Sequence, residues 1–234
     1  MFSNVYLAQT SQETEDFLPE KLAYMALHFS PYSAGLSNPP KKLPKDSILL
    51  LDDSMEPENH DPQTVTEQLK QLVEQFSPKA VLLDFQRPQT KELENMAACI
   101  LQALPCPVGV TEGYAKNLGC PVFLSPPPVN KALKNHIGLW KNQGVYLEIA
   151  PDCMEITVTE NGSTAKPIPT VQHLPLEDRR LHCHYNVAVF SNKVIFTISR
   201  YKEDLQSLVQ EAEDLGVLGC VGLYRELRNE NPPD

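Results

Sequence analysis

Short, nearly unbroken apolar runs alternate with longer amphipathic segments through most of this chain. The runs are residues 4–9 (NVYLAQ), 47–51 (SILLL), 80–83 (AVLL), 107–111 (PVGVT), 121–124 (PVFL), 145–150 (VYLEIA) and 216–224. Runs of this length and composition are buried on both faces, as parallel strands are. Between them lie helical patterns. One begins at Asp61-Pro62, an N-cap followed by a first-turn proline, with Val65, Leu69, Leu72, Val73 and Phe76 on one face and Ser77-Pro78 as its stop. Others cover residues 90–104, 129–140 and 203–215. Strand and helix in regular succession predict parallel strands joined by crossover helices. Residues 17–29 fit this scheme less simply. Leu18, Leu22, Met25 and Phe29 have helical spacing and favour a helix running into a strand-like end, although residues 22–29 also read as a second strand. Residues 33–45, with Gly35, Pro39, Pro40 and Pro44, are expected to be a surface loop.

The pattern changes after residue 150. Residues 154–159 alternate apolar and polar and meet Asn161-Gly162, a strong hairpin signal. Residues 185–190 and 194–198 flank Ser191-Asn192-Lys193 as a second hairpin. The expected fold is therefore α/β, an irregular TIM-type (β/α) barrel with β-hairpin insertions in the C-terminal half. One domain spans residues 1–228, and residues 229–234 form a frayed polar tail. A doubly wound open sheet is the alternative. It would usually carry a glycine-rich loop after the first strand, and Gln9-Thr10-Ser11-Gln12 has no glycine.

The chain has 234 residues, enough for one substantial core, and a net charge of -10. Nucleic acid and anionic membrane need clustered cations, so neither is expected as a partner. Lys41, Lys42 and Lys45 form only a short basic cluster. No apolar run approaches the ~18 residues of a membrane span, and no signal peptide is apparent at the start, so a cytoplasmic protein is expected. The six cysteines lack metal-ligand spacing and read as reduced thiols. No cofactor and no metal is expected.

Candidate chemistry gathers where the strands end, because ligands of parallel sheets bind at the carboxyl ends. Residues 80–83 run into Asp84, Phe85, Gln86, Arg87 and Pro88, and Pro88 ends the ladder. Asp52 and Asp53 follow residues 47–51 in the same way, and Glu112, Glu148 and Glu226 lie at other strand ends. A carboxylate pair about 5 to 9 Å apart suits glycoside hydrolysis. The catalytic candidates are Asp84, Glu112 and Glu148; the ligand-binding candidates are Asp52, Asp53, Gln86, Arg87, Tyr114, Tyr224 and Glu226. Trp140 and Tyr201 are further aromatics near predicted rims, though buried packing is the commoner fate of such rings. His182 and His184 have the spacing of an HxH metal pair, with His173 or a rim carboxylate as third ligand, but such pairs also occur on ordinary polar strand faces. There is no GxSxG, and Cys183 points away from both neighbours on the pleat.

Asp84-Phe85-Gln86-Arg87-Pro88 resembles the Asp-Trp-Glu-Tyr-Pro segment that closes the DxxDxDxE signature of glycoside hydrolase family 18, the chitinases and chitinase-like lectins. The resemblance covers residues 47–88. It implies a motif at the end of a central barrel strand, with Asp84 at the position that orients an acetamido group and Gln86 at the position of the catalytic acid. Lys79 and Leu82 stand at the two earlier Asp positions. An amide has no proton to give at working pH, so the resemblance implies a sugar groove without the family's cleavage chemistry. The expected ligand is an oligosaccharide or similar small polar molecule. The alternatives are a glycosidase using Glu112 or Glu148 as acid, and a non-catalytic protein-interaction domain presenting the late hairpins.

Overall fold

A computed structural model describes residues 4–55, 61–169 and 171–229. In chain order the elements are β1 (Val5–Gln9), α1 (Ser11–Asp16), β2 (Leu22–Phe29), β3 (Leu36–Ser37), β4 (Ile48–Asp52), α2 (Pro62–Phe76), β5 (Ala80–Asp84), α3 (Lys91–Ala103), β6 (Val108–Thr111), α4 (Glu112–Leu118), β7 (Val122–Leu124), α5 (Leu133–Ile137) and β8 (Val145–Ile149). An antiparallel insertion follows: β9 (Cys153–Thr159), β10 (Gly162–Pro167), β11 (Leu176–Asp178), β12 (Cys183–Val189) and β13 (Lys193–Ser199). The chain then completes α6 (Lys202–Asp214), β14 (Gly219–Leu223) and α7 (Tyr224–Asn229).

The strands β1, β2, β4, β5, β6, β7, β8 and β14 are parallel neighbours in that order, and β1 pairs with both β2 and β14. The sheet is thus a closed (β/α) barrel in which β5 is the fourth strand. Local signals place the helices as the sequence predicts. The Asp61 carboxylate accepts from the backbone N–H groups of Gln63 and Thr64, and Ser77 ends α2 in the left-handed conformation. Thr90 caps α3 by accepting from Leu93 N–H at 3.2 Å.

Residues 22–29 correct the helical reading. They are strand throughout, with a register shift between Tyr24 and Leu27 that breaks the two-residue period and lets the pattern mimic a helix. Pro19 removes a helical donor just after α1, which is only six residues long. Burial on both faces against β1 and β4 then decides for strand. Residues 33–45 are not all loop: β3 pairs antiparallel with β2, and among the described residues no helix separates β2 from β4. The helix expected over 129–140 is reduced to α5 and a 3-10 turn at Gly138–Trp140. Asn229 closes α7, and the rest of the expected tail, residues 230–234, lies outside the described residues.

Outward side chains of the barrel strands pack on the helices, while Tyr6, Ala23, Ile48, Ala80, Leu82 and Tyr146 fill the interior. A β-carbon at Gly109 would lie 2.8 Å from Leu82 and 3.1 Å from the Tyr146 ring, so glycine there makes room for the tyrosine. The barrel floor is therefore plugged. The insertion forms a separate sheet in the order β10-β9-β13-β12-β11. Arg200, 1% exposed, ties it to the barrel. Its guanidinium donates to the Pro127 carbonyl at 2.6 Å and the His182 carbonyl at 3.3 Å, and pairs with Asp152 at 3.4 Å. The six cysteines are free thiols, four of them buried.

Candidate functional site

The alternation that fills the floor also builds the mouth. Ile48 and Leu50 face inward on β4, so Asp52 is the next inward position. Ala80 and Leu82 bring Asp84 inward on β5 in the same way, and Tyr146 brings Glu148 inward on β8. Asp52 and Asp84 are directly opposed in register. With Ala8, Phe123 and Gly222 these three carboxyl groups line a cavity of about 60 Å³ at the carboxyl ends of the strands. That is room for about two waters, so a larger ligand would insert one small group and lie across the opening.

The loops behind the cavity are fixed by polar contacts. The Asp53 carboxylate, 2% exposed, accepts from the backbone N–H of Gln86 at 2.8 Å and of Arg87 at 3.2 Å. The Arg87 guanidinium donates to the Ser54 carbonyl at 3.2 Å, and Thr111 hydroxyl donates to the Phe85 carbonyl at 2.9 Å. Phe85 packs between Phe29 and Tyr114, edge-on to the tyrosine with ring centroids 5.5 Å apart. The Gln86 amide donates to the Asp84 carboxylate, and Asp52 accepts from the Ser54 N–H at 2.8 Å.

Burial raises the Asp84 carboxyl above the usual range; the Gln86 hydrogen bond opposes this, and the charges of Asp52 and Asp53 add to it. Glu148 is pushed up to about 7, first by burial and then by Asp84, Glu226 and Asp152. Glu226 is raised by burial and by Asp152. Asp152 is itself raised by burial, against the pull of Arg200. Among the described residues no hydrogen-bond donor reaches the Glu148 carboxyl. Pushed up to about 7, Glu148 is the carboxyl of the mouth that can hold a proton near neutrality, able to accept from a ligand hydroxyl or to hand over a proton.

The other sequence candidates fall elsewhere. Glu112 opens α4 on the surface, where its charge is felt by His136, and does not line the cavity. Tyr114 is 2% exposed and belongs to the core behind Phe85. Tyr224 opens α7 and stacks on Phe17 with centroids 5.8 Å apart, and Trp140 is buried. His182 has a left-handed backbone, φ 49°, so it leaves the pleat. It bonds Glu211, while His184 meets Asp204 at 2.9 Å, and the two imidazoles serve different partners. Tyr201 hydroxyl holds the loop at Val171 and Leu174. Asp152 and Arg200 escaped the sequence reading; the only signals were an Asp just past one strand and an Arg between a strand and a helix.

No protein-family model matches this sequence, and no curated protein does. Solved structures do resemble it. A chitinase-like agglutinin from Robinia pseudoacacia superposes with a TM-score of 0.58 at 12% identity, covering 94% of this chain and 94% of that one. A mutant family 18 chitinase from Cycas revoluta, in complex with (GlcNAc)4, gives a TM-score of 0.58 at 11% identity, covering 98% of this chain and 96% of that one. The spore cortex-lytic enzyme SleL from Bacillus cereus gives 0.56 at 12% identity, covering 97% of this chain and 74% of that one. The barrel closed by β1 and β14, with Asp84 at the end of its fourth strand, has the TIM-type fold of the family 18 glycoside hydrolases.

Proposed function

We propose that this chain is a carbohydrate-binding barrel of family 18 type whose oligosaccharide lies across the mouth over Asp52, Asp84 and Glu148. The observation that carries the reading is the convergence of these three inward carboxyl groups on one cavity above an apolar floor. Fold neighbours captured with (GlcNAc)4 and (GlcNAc)3 support it. The family's acid position holds Gln86, an exposed amide bonded to Asp84, and an amide cannot protonate a glycosidic oxygen. Leu82, where the signature has an Asp, is fully buried in the floor. Both residues speak against the family's acid catalysis at this mouth.

The test is a thermal-shift screen of the intact protein against chitooligosaccharides and other glycans, with Asp84→Ala alongside. A ligand at ~100 times its dissociation constant stabilises the fold by about 2.7 kcal/mol, several degrees. A shift lost in Asp84→Ala, without release of reducing ends, is the expected outcome. A cooperatively melting protein that responds to no glycan would overturn the reading.

A further inference from the structure

We propose that a second copy of this chain covers the apolar face of the inserted sheet, so that two insertions pair face to face. The proposal stands independently of the carbohydrate reading. Its basis is how the insertion sorts its side chains, since directly opposed residues of antiparallel strands share a face. The register sets Ile156 beside Phe196 and Phe196 beside Val187 in one row. In the next row, further from the barrel, Val158 stands beside Val194 and Val194 beside Val189. Neither row holds a charge, while the opposite face of the same strands carries Glu155, Thr157 and Thr197.

A sheet with one apolar face needs a second layer to bury it. Only the row nearest the barrel has one, where Val129 packs with Ile198 and Cys183. The outer row joins no core cluster among the described residues, and Val158 is 38% and Val189 75% exposed. Residues 171–174 of the insertion lie on the other side. The Tyr201 hydroxyl holds Val171 and Leu174 there, and its ring centroid is 4.9 Å from that of His184, which shares the polar face with Ser199.

Charge and area identify the occupant. Between residues 152 and 200 five acidic side chains are matched by five basic ones, so the net charge of -10 resides wholly outside the insertion. Two copies repel each other least when they meet at this neutral element, whereas a basic partner would be drawn to the rest of the chain. β9, β12 and β13 are each seven residues long. With β10 beside them, and spacings of about 3.3 Å along the strands and about 4.8 Å across them, the face measures roughly 440 Å². Two such faces bury about 900 Å² as flat area, and side-chain relief brings this near the ~1,000 Å² at which specific interfaces begin. The pair is thus a reversible dimer with its two sheets about 10 Å apart.

The experiment is sedimentation velocity on the intact protein from about 2 to about 300 µM. The mass is expected to rise from 26.2 kDa toward twice that value, with a midpoint in the micromolar range, and to do so equally in high salt. Val158→Lys combined with Val189→Lys places charge on the face at exposed positions and should hold the mass at one chain throughout, with thermal unfolding unchanged. Thr164→Lys combined with Asn186→Lys adds the same charge to the opposite face and should leave the dimer intact. A parent that remains at 26.2 kDa at the highest concentration would overturn the proposal, as would a dimer that survives the Val158 and Val189 substitutions. Equal loss of the dimer in both double variants would overturn it as an effect of added charge. Movement of the Val158 and Val189 methyl signals when N-acetylglucosamine oligosaccharide is added to a monomeric parent would give the face to a sugar and overturn the second copy.

Discussion

The floor and the mouth of the barrel are built from the same strands, a few residues apart, and they differ in how their polar groups are answered. At the floor Lys79 donates to the Leu218 carbonyl at 3.1 Å and lies over the Tyr6 ring, while Leu82 and Tyr146 interlock around Gly109. Two residues further along the same inward rows stand Asp84 and Glu148, both raised first by burial, Asp84 further by the charges of Asp52 and Asp53 and Glu148 further by Asp84, Glu226 and Asp152. The floor is arranged for packing. The mouth retains carboxyl groups that cost stability as they ionise, which is what a binding site requires and a scaffold does not.

The sharpest way to break this contrast is to move a carboxylate into the floor. Leu82→Asp restores a signature residue of family 18 but buries a charge at a fully enclosed position, and denaturant unfolding should report a loss of at least about 4 kcal/mol. If the variant were as stable as the parent, the floor would not be the dry plug described. Next in size is the pH dependence of the mouth. Glu148 keeps its proton in the folded state up to about 7 and releases it near 4.5 when unfolded, so the native state binds more protons across that window. Its contribution is present below about 4.5 and is lost as the pH rises through about 7, amounting to at most about 3 kcal/mol. Subtracting the stability profile of Glu148→Gln from that of the parent should expose this fall, with the variant the more stable above neutrality. A flat difference profile would contradict the placement of Glu148 among acids.

Smaller effects sharpen the comparison. Asp53→Ala leaves the backbone N–H groups of Gln86 and Arg87 without their acceptor and should cost about 1 to 2 kcal/mol, together with a loosened mouth seen as faster amide exchange at both residues. Tyr224→Ala removes a stacking contact with Phe17 and the ring under the Arg228 guanidinium and should cost about 1 kcal/mol, leaving sugar binding unchanged. A loss of affinity there would return Tyr224 to the ligand, where its position after a strand had suggested it.

Much of the barrel was legible because parallel strands buried on both faces must be apolar, and SILLL and AVLL could be little else. Asp52, Asp53 and Asp84 were legible as strand-end carboxylates, but that Asp52 pairs with Asp84 while Asp53 turns to the loop depends on strand register, which no local pattern carries. The second strand was hidden by its bulge, which shifts the period between Tyr24 and Leu27. Glu112 and Tyr114 looked like rim residues because they follow a strand, yet α4 starts at once and turns one to solvent and the other into the core. Asp152 and Arg200 were invisible because their roles depend on where the inserted sheet lands, a long-range fact that no local pattern carries. Asn161-Gly162 marked the hairpin of β9 and β10 through a local turn preference and so could be read directly.

The central claim is that ligand meets this protein at the barrel mouth, and methyl NMR tests it most directly. Met25, Leu50, Val221 and Leu223 line the cavity, whereas Val158 and Val189 are exposed on the inserted sheet. With methyl-labelled protein and added N-acetylglucosamine oligosaccharide, the shifts should move at the four cavity residues and stay still at the two on the insertion. Movement confined to Val158 and Val189, or none anywhere, would contradict the account.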